Sequence, residues 1–260
     1  MAGTARKRAR SADAMHAPGA LLCVVAALAA GCSHLPAGGL QDAMDALSPA
    51  ERATPLPLNL APAPRPVARV GDTYFFGAQS LRQVTAVSSG SVTWTTTDGQ
   101  RLRTGRDFFA PLLEQTQGDQ RLTSTLQGQP GALWPLAVGK TVSFEETRTT
   151  RLLTLGREIT TPIRWECGVI DTRVSQVPAG DFETYHVSCK AYREGFFLPL
   201  QTVTWDYAPS LGHYVRRTWF DAGRQRETAL AAALPAPLAT PARIAATRQR
   251  LQQWQQQPPL

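Results

Sequence analysis

The sequence predicts a mainly β protein: a curved antiparallel sheet, half-barrel or sandwich, in two halves that echo each other, with a short C-terminal helix. Three observations predict it. Short runs rich in β-branched and aromatic residues recur, as in Thr73-Tyr74-Phe75-Phe76 and Val92-Thr93-Trp94-Thr95-Thr96-Thr97. Turn signals punctuate them: Gly71-Asp72, Asp98-Gly99, Pro178-Ala179-Gly180-Asp181 and Asp221-Ala222-Gly223. Ile163, Trp165, Cys167 and Val169 alternate with Arg164, Glu166 and Gly168, which makes one apolar face. Five segments follow from the texture: 1–31, 32–66, 67–130, 131–233 and 234–260.

Residues 1–31 open with Arg6, Lys7, Arg8 and Arg10. An apolar run of 11 residues follows, 20–30, where a membrane-spanning helix needs about 20. Basic start, short apolar core and small residues are the pattern of a removable signal. Ala29-Ala30-Gly31-Cys32 then resembles the lipobox of a bacterial lipoprotein, with Leu28 one place earlier than that family prefers. The resemblance implies a diacylglycerol and an N-acyl chain, such as palmitate, on Cys32. Three chains anchor stably where one binds only marginally. Ser33, in place of an aspartate, points to the outer membrane, facing the periplasm. The alternative is an ordinary secretory signal, with Cys32 free or disulfide-bonded.

Cleavage after Gly31 leaves 260 − 31 = 229 residues, enough for one large or two small domains. The net charge falls from +7 to +4, because residues 1–31 hold four basic and one acidic side chain. No concentrated basic patch suggests nucleic acid. With Cys23 in the signal and Cys32 on lipid, Cys167 and Cys189 form an even pair in an oxidising compartment. A disulfide between them is expected, with two buried thiols as the alternative. No metal site is expected, since two cysteines without clustered histidines do not complete one.

Residues 32–66 carry seven prolines, which lack a donor and fix φ. They read as a tether, with a brief helix over 40–47. Residues 67–130 read as a β-meander: strands over 73–76, 81–87, 92–97 and 101–104, with Asp98-Gly99 as a two-residue hairpin turn. Phe108-Phe109-Ala110-Pro111-Leu112-Leu113 is an apolar plug across the sheet. The polar stretch 115–129 holds one strand, 121–126. Gly131-Ala132-Leu133-Trp134-Pro135 is a turn between the halves. Val138-Gly139-Lys140-Thr141 to Phe144 then repeats Val70-Gly71-Asp72-Thr73 to Phe76 as V-G-x-T-x-x-F. Val203-Thr204-Trp205 echoes Val92-Thr93-Trp94. Common glycine turns explain these echoes as well as duplication does.

In 131–233, Tyr185, Val187, Cys189 and Ala191 share a face, so both cysteines point to the core side. Counting the hairpin from Ala179-Gly180 puts Cys167 opposite Tyr192, so pairing with Cys189 needs a bulge, which Gly168 can host. Strict alternation puts Tyr214 and Phe220 on one face of their strand, Val215 and Trp219 on the other. Val177-Pro178-Ala179-Gly180-Asp181-Phe182-Glu183-Thr184 and Trp205-Asp206-Tyr207-Ala208-Pro209-Ser210-Leu211-Gly212-His213-Tyr214-Val215 resemble a recurrent pattern of Gram-negative periplasmic and lipoprotein β-domains. The resemblance spans about residues 163–230. It implies a curved antiparallel sheet or half-barrel, like that of lipoprotein carriers, and brings no catalytic residue. In the tail, Thr240 caps a helix that starts with Pro241. Ile244, Leu251 and Trp254 form its narrow apolar stripe, for a partner, a membrane surface or its own sheet.

Every catalytic class comes up empty, and no cofactor motif is present. His186 and Cys189 face opposite ways. Ser210, Asp206 and His213 lie close in sequence but without a nucleophile elbow. Glu145 and Glu146 are strand neighbours and face apart. The expectation is a non-enzymatic outer-membrane lipoprotein. It acts as a binding or assembly-accessory module for an envelope protein or lipid. The first alternative is a carrier of a lipid or lipoprotein acyl chain in a half-barrel. A hydrolase is a distant one.

Overall fold

A computed structural model describes residues 58–221 and 224–256, which belong to one compact unit. Cys32, the signal and most of the tether lie outside them. The fold is mainly β, one antiparallel sheet of thirteen strands. The first half supplies β1 (Thr73–Phe75), β2 (Leu81–Val87), β3 (Ser91–Thr96), β4 (Arg101–Gly105), β5 (Leu112–Gln117) and β6 (Gln120–Gln127). The second supplies the longer β7 (Thr141–Leu152), β8 (Arg157–Val177), β9 (Gly180–Arg193), β10 (Gln201–Ala208), β11 (His213–Asp221) and β12 (Arg224–Ala229). β13 (Ala232–Leu234) and a C-terminal helix α1 (Pro241–Gln256) complete the chain.

From β1 to β12 every strand pairs with its sequence neighbours, and β13 pairs with β1. The sheet is open, and β12 and β13 are its two end strands. Yet only Leu230 and Ala231 separate them. Leu230 N–H donates to the Val215 carbonyl of β11 (2.7 Å), and Ala231 N–H donates to the Phe75 carbonyl of β1 (2.7 Å). Successive N–H groups of an extended chain point opposite ways. Residues 224–234 are thus one strap, bonded to β11 along its first half and to β1 along its second. The sheet has curled until its ends lie on either side of a single strand. Ala179 N–H, in the β8–β9 turn, donates to the Leu230 carbonyl (3.0 Å). The Leu230 side chain is fully buried with Tyr74, Ala208 and Val215.

Several expectations shift in detail. β5 is a strand where a plug and polar loop are expected. Its Glu114 and Gln115 pair across to Thr123 and Leu122 of β6. The Asp98-Gly99 hairpin has three loop residues, since Thr96 N–H bonds the Gln100 carbonyl, with Gly99 left-handed at φ 75°. Phe108 and Phe109 do form the plug: Phe109 is buried, and Phe108 stacks on Tyr207 at 4.9 Å. Residues 58–66, read as tether, lie against the sheet. Ala63 bridges Leu136, and Tyr185 Oη donates to the Leu60 and Ala61 carbonyls. Both glycines of the V-G-x-T-x-x-F echo, Gly71 and Gly139, have positive φ and turn the chain into β1 and β7.

The helix begins as the cap predicts, with Thr240 Oγ1 accepting from Arg243 N–H (3.3 Å). It packs on its own protein. Thr247 is buried, and Leu251 lies near Pro178 and Ala231, while Trp254 is 56% exposed. Among the described residues no helix is long and apolar enough to cross a membrane.

If the strap holds the sheet ends together, Leu230→Ala costs about 2–5 kcal/mol, the range for a buried leucine. Leu155→Ala, at a site 73% exposed, stays within about 0.5 kcal/mol. Urea denaturation of the two variants checks the contrast.

Candidate functional site

The curl forms an open-mouthed cavity of about 740 Å³ on the concave face. Strand alternation selects its walls. Val92 and Trp94 of β3 face it, as do Val203 and Trp205 of β10, with Thr93 and Thr204 turned away. The repeated V-T-W sequence thus supplies two facing walls. Leu102, with the plug residues Phe108 and Phe109, adds to the lining.

β11 departs from alternation. Asp206 pairs with Arg216 and Tyr207 with Tyr214, so Val215 is an extra, bulged residue. Parity flips there. Tyr214, Arg217 and Trp219 all face inward, while Val215 drops into the small cluster around Leu230. This corrects the expectation that Tyr214 and Trp219 lie on opposite faces. It is also what brings Arg217 into the cavity.

The two ends of the sheet meet at this wall. Tyr74 of β1 stacks on His213 at 3.9 Å, and Phe76 on Tyr214 at 5.4 Å. Arg82 Nη1 of β2 donates to Tyr214 Oη (3.1 Å). The Arg217 guanidinium lies 4.8 Å from the Trp219 ring centre and 5.9 Å from that of Trp205. Its Nε is buried without a hydrogen-bond partner. Burial, then the nearby Arg82 charge, disfavours the charged form of Arg217, partly offset by Tyr214. Deeper in the wall, Glu146 is fully satisfied. It accepts from Ser124 Oγ (2.6 Å), Arg148 Nε and Nη2 (both 2.9 Å) and Trp165 Nε1 (2.8 Å).

His213 is neutral at neutral pH. Burial holds its pKa down to about 4, opposed by the Nδ1–H bond to the Tyr214 carbonyl (2.8 Å). Burial also pushes the Tyr74 and Tyr207 phenols well above their usual range. The unfolded imidazole takes a proton near 6.5 and the folded one near 4. Its contribution to stability is therefore complete above about 6.5 and is lost as pH falls toward 4. Between about pH 7 and about pH 4.5 the wild type should lose roughly 2–3 kcal/mol more than His213→Phe, which keeps a ring against Tyr74 but has no proton to take. Urea titrations at both pH values read the difference.

The convex face carries a second polar cluster. Asp171, His186, Asp206 and Arg216 are direct cross-strand neighbours on β8, β9, β10 and β11. His186 Nδ1 lies 2.7 Å from Asp206 Oδ1, and Ser175 Oγ donates to Asp206 Oδ2 (2.9 Å). Burial works against the Asp206 carboxylate, but His186, Ser175 and Arg173 outweigh it and hold its pKa below the usual range. Serine, aspartate and histidine do meet here. The aspartate sits in the middle, however, so no imidazole reaches the serine hydroxyl, as a nucleophile needs. Ser210 and His213, close in sequence, both line the cavity. Hydrogen-bonded and ion-paired cross-strand neighbours over four strands support the sheet.

Cys167 and Cys189 are joined by a disulfide and are direct cross-strand partners, with Cα atoms 4.0 Å apart. The three-residue offset from simple hairpin counting has two sources. The turn is the pair Pro178-Ala179, flanked by Val177 opposite Gly180, which removes two residues. A bulge between Val169 and Asp171 removes the third. Gly168 stays in register opposite Ser188. Among the described residues no cluster of His, Cys, Asp and Glu is arranged to hold a metal.

No family model and no curated protein matches the chain. Solved structures do. They include the hypothetical lipoprotein YmcC of Escherichia coli, 11% identical, covering 63% of this chain and 84% of that one, with a TM-score of 0.44. A Bacteroides fragilis chain described as a putative exported protein with a YmcC-like fold is 12% identical, covering 66% and 100%, TM-score 0.37. A putative lipoprotein of Parabacteroides distasonis is 12% identical, covering 67% and 100%, TM-score 0.32. Likenesses this loose say nothing about what the cavity binds.

Proposed function

We propose that this is a non-enzymatic lipoprotein of the outer membrane, held by lipid on Cys32 and facing the periplasm, whose curled sheet binds the apolar chain of an envelope component. The cavity carries this reading. Its volume of about 740 Å³ lies within the ~300–1,000 Å³ of small-molecule sites. Val84, Val92, Trp94, Leu102, Val203 and Trp205 wall it. A pure scaffold would fill such a space with side chains, since interiors pack like organic crystals. Phe196, Phe197, Leu198 and Leu200 are 61%, 87%, 67% and 60% exposed in the loop leading to Gln201, which lines the cavity. That loop gives the carrier reading an apolar surface from which a chain enters.

The purified protein should carry a lipid visible by native mass spectrometry, and should take up a fluorescent fatty-acyl probe once delipidated. Val84→Trp and Val203→Trp, which fill the cavity, should each weaken the probe by about tenfold, ~1.4 kcal/mol. A delipidated wild type that takes up no probe would overturn the reading. The anchor has a separate check. Cys32→Ser should incorporate no labelled palmitate and should leave the membrane fraction. Retention of either property removes Cys32 as the lipid site.

A further inference from the structure

Arg82 and Arg217 are anomalous among the half-buried arginines of the strands. Elsewhere an arginine half-buried within a strand has a carboxylate: Arg148 with Glu146, Arg173 with Asp171, Arg216 with Asp206 and Glu227. Arg82 and Arg217 have none within salt-bridge reach among the described residues. Arg82 spends one donor on Tyr214 Oη, and Arg217 keeps a buried Nε unmet. A guanidinium cannot shed its charge, and a buried charge without a partner is costly.

The whole wall has the same bias. Six arginines line the cavity, residues 65, 69, 82, 106, 148 and 217, against the two carboxylates Asp72 and Glu146. Glu146 is already consumed by its four donor contacts. Asp72 accepts the backbone N–H groups of Arg69 and Ala236. Stacking on Trp205 and Trp219 accounts for the face of the Arg217 guanidinium and leaves its edge, where the N–H groups lie. Tyr214 Oη accepts from Arg82 and retains its own proton to donate. Two guanidiniums and a phenol thus converge on one corner of a cavity that Val84, Val92, Trp94, Leu102, Val203 and Trp205 also wall. A planar guanidinium edge matches a carboxylate or phosphate, which can accept two bonds at once.

We propose that the corner formed by Arg82, Tyr214 and Arg217 binds the anionic head of the cavity's ligand, which is therefore a single-chain amphiphile ending in a carboxylate or a phosphate. The head lies where β2 and β11 face each other, and the chain runs past Trp94, Leu102 and Trp205. This rests on the reading of the cavity as a site for an apolar chain.

The test holds the chain constant and changes the head. Calorimetry on the delipidated full protein compares dodecanoate, dodecyl phosphate and dodecanol. At least one anionic probe should bind about tenfold or more tighter than the alcohol, and the tighter of the two anions identifies the head. Arg217→Met and Arg82→Met should each erase most of that preference and leave dodecanol within about twofold. Equal binding of all three heads by the wild type overturns the anionic corner while the chain-binding cavity stands, and needs no variant to fold. A preference that survives both substitutions overturns the assignment to these residues. Absence of binding by all three overturns the cavity reading, and the corner with it.

Discussion

The passage of the chain through Leu230 and Ala231 is the constraint on which the rest depends. Twelve strands can be laid down as neighbouring pairs, each closed by a short turn, and such ladders need little loop entropy. The ladder between β1 and β13 is different, because it joins Thr73 to Leu234, a separation of 161 residues. It forms only once the sheet has curled far enough for one strand to reach both ends. Leu230 supports that geometry twice, through the backbone bond to Val215 and through a side chain buried among Tyr74, Ala208 and Val215. Without the strap, the ends would be a pair of exposed edges, which sheet proteins otherwise have to protect. With it, the concave face becomes the wall of a cavity.

Much of the architecture was legible because a period of two is hard to disguise. The alternation in β8 and β9, the turn at Pro178-Ala179 and the shared face of Cys167 and Cys189 all follow from residues close in sequence. β5 was hidden because four of its six residues, Glu114-Gln115-Thr116-Gln117, are polar and look like loop. β13 was hidden because Ala-Ala-Leu carries almost no pattern, and its partner is at the far end of the chain. A half-barrel carrier was among the expected alternatives, but the lining of its cavity was not legible. Nothing in the local sequence around Trp94, Trp205, Arg82 or Arg217 marks them as residues of one cavity. Only the curl of the sheet brings them together.

Two bulges decide which side chains meet. The bulge between Val169 and Asp171 brings Cys167 opposite Cys189, and the one at Val215 turns Arg217 toward Tyr214. Neither follows from local sequence, since Val169-Ile170-Asp171 and Tyr214-Val215-Arg216 are plain strand text. Each bulge adds one residue on one side of a ladder and inverts the faces beyond it. In a regular β11, Tyr214 and Arg217, three residues apart, would point to opposite faces.

The curl of the sheet and the cationic corner are for this reason one structure. Arg82 and Arg217 are 135 residues apart and come from strands near opposite ends of the sheet order, so they approach only when the seam is shut. Their like charges then oppose the curl that unites them. Stacking of Tyr74 on His213 and of Phe76 on Tyr214, between the β1 end of the sheet and β11, holds against that repulsion. A neutral His213 matters here, since a third cation at the seam would add to it. An anion held between the guanidiniums would reverse the sign of the corner's contribution. It would bind the curled sheet and not the unfolded chain, and so stabilise the curl by mass action. Occupancy of the cavity and integrity of the strap would favour each other, although Leu230 and Ala231 touch no ligand.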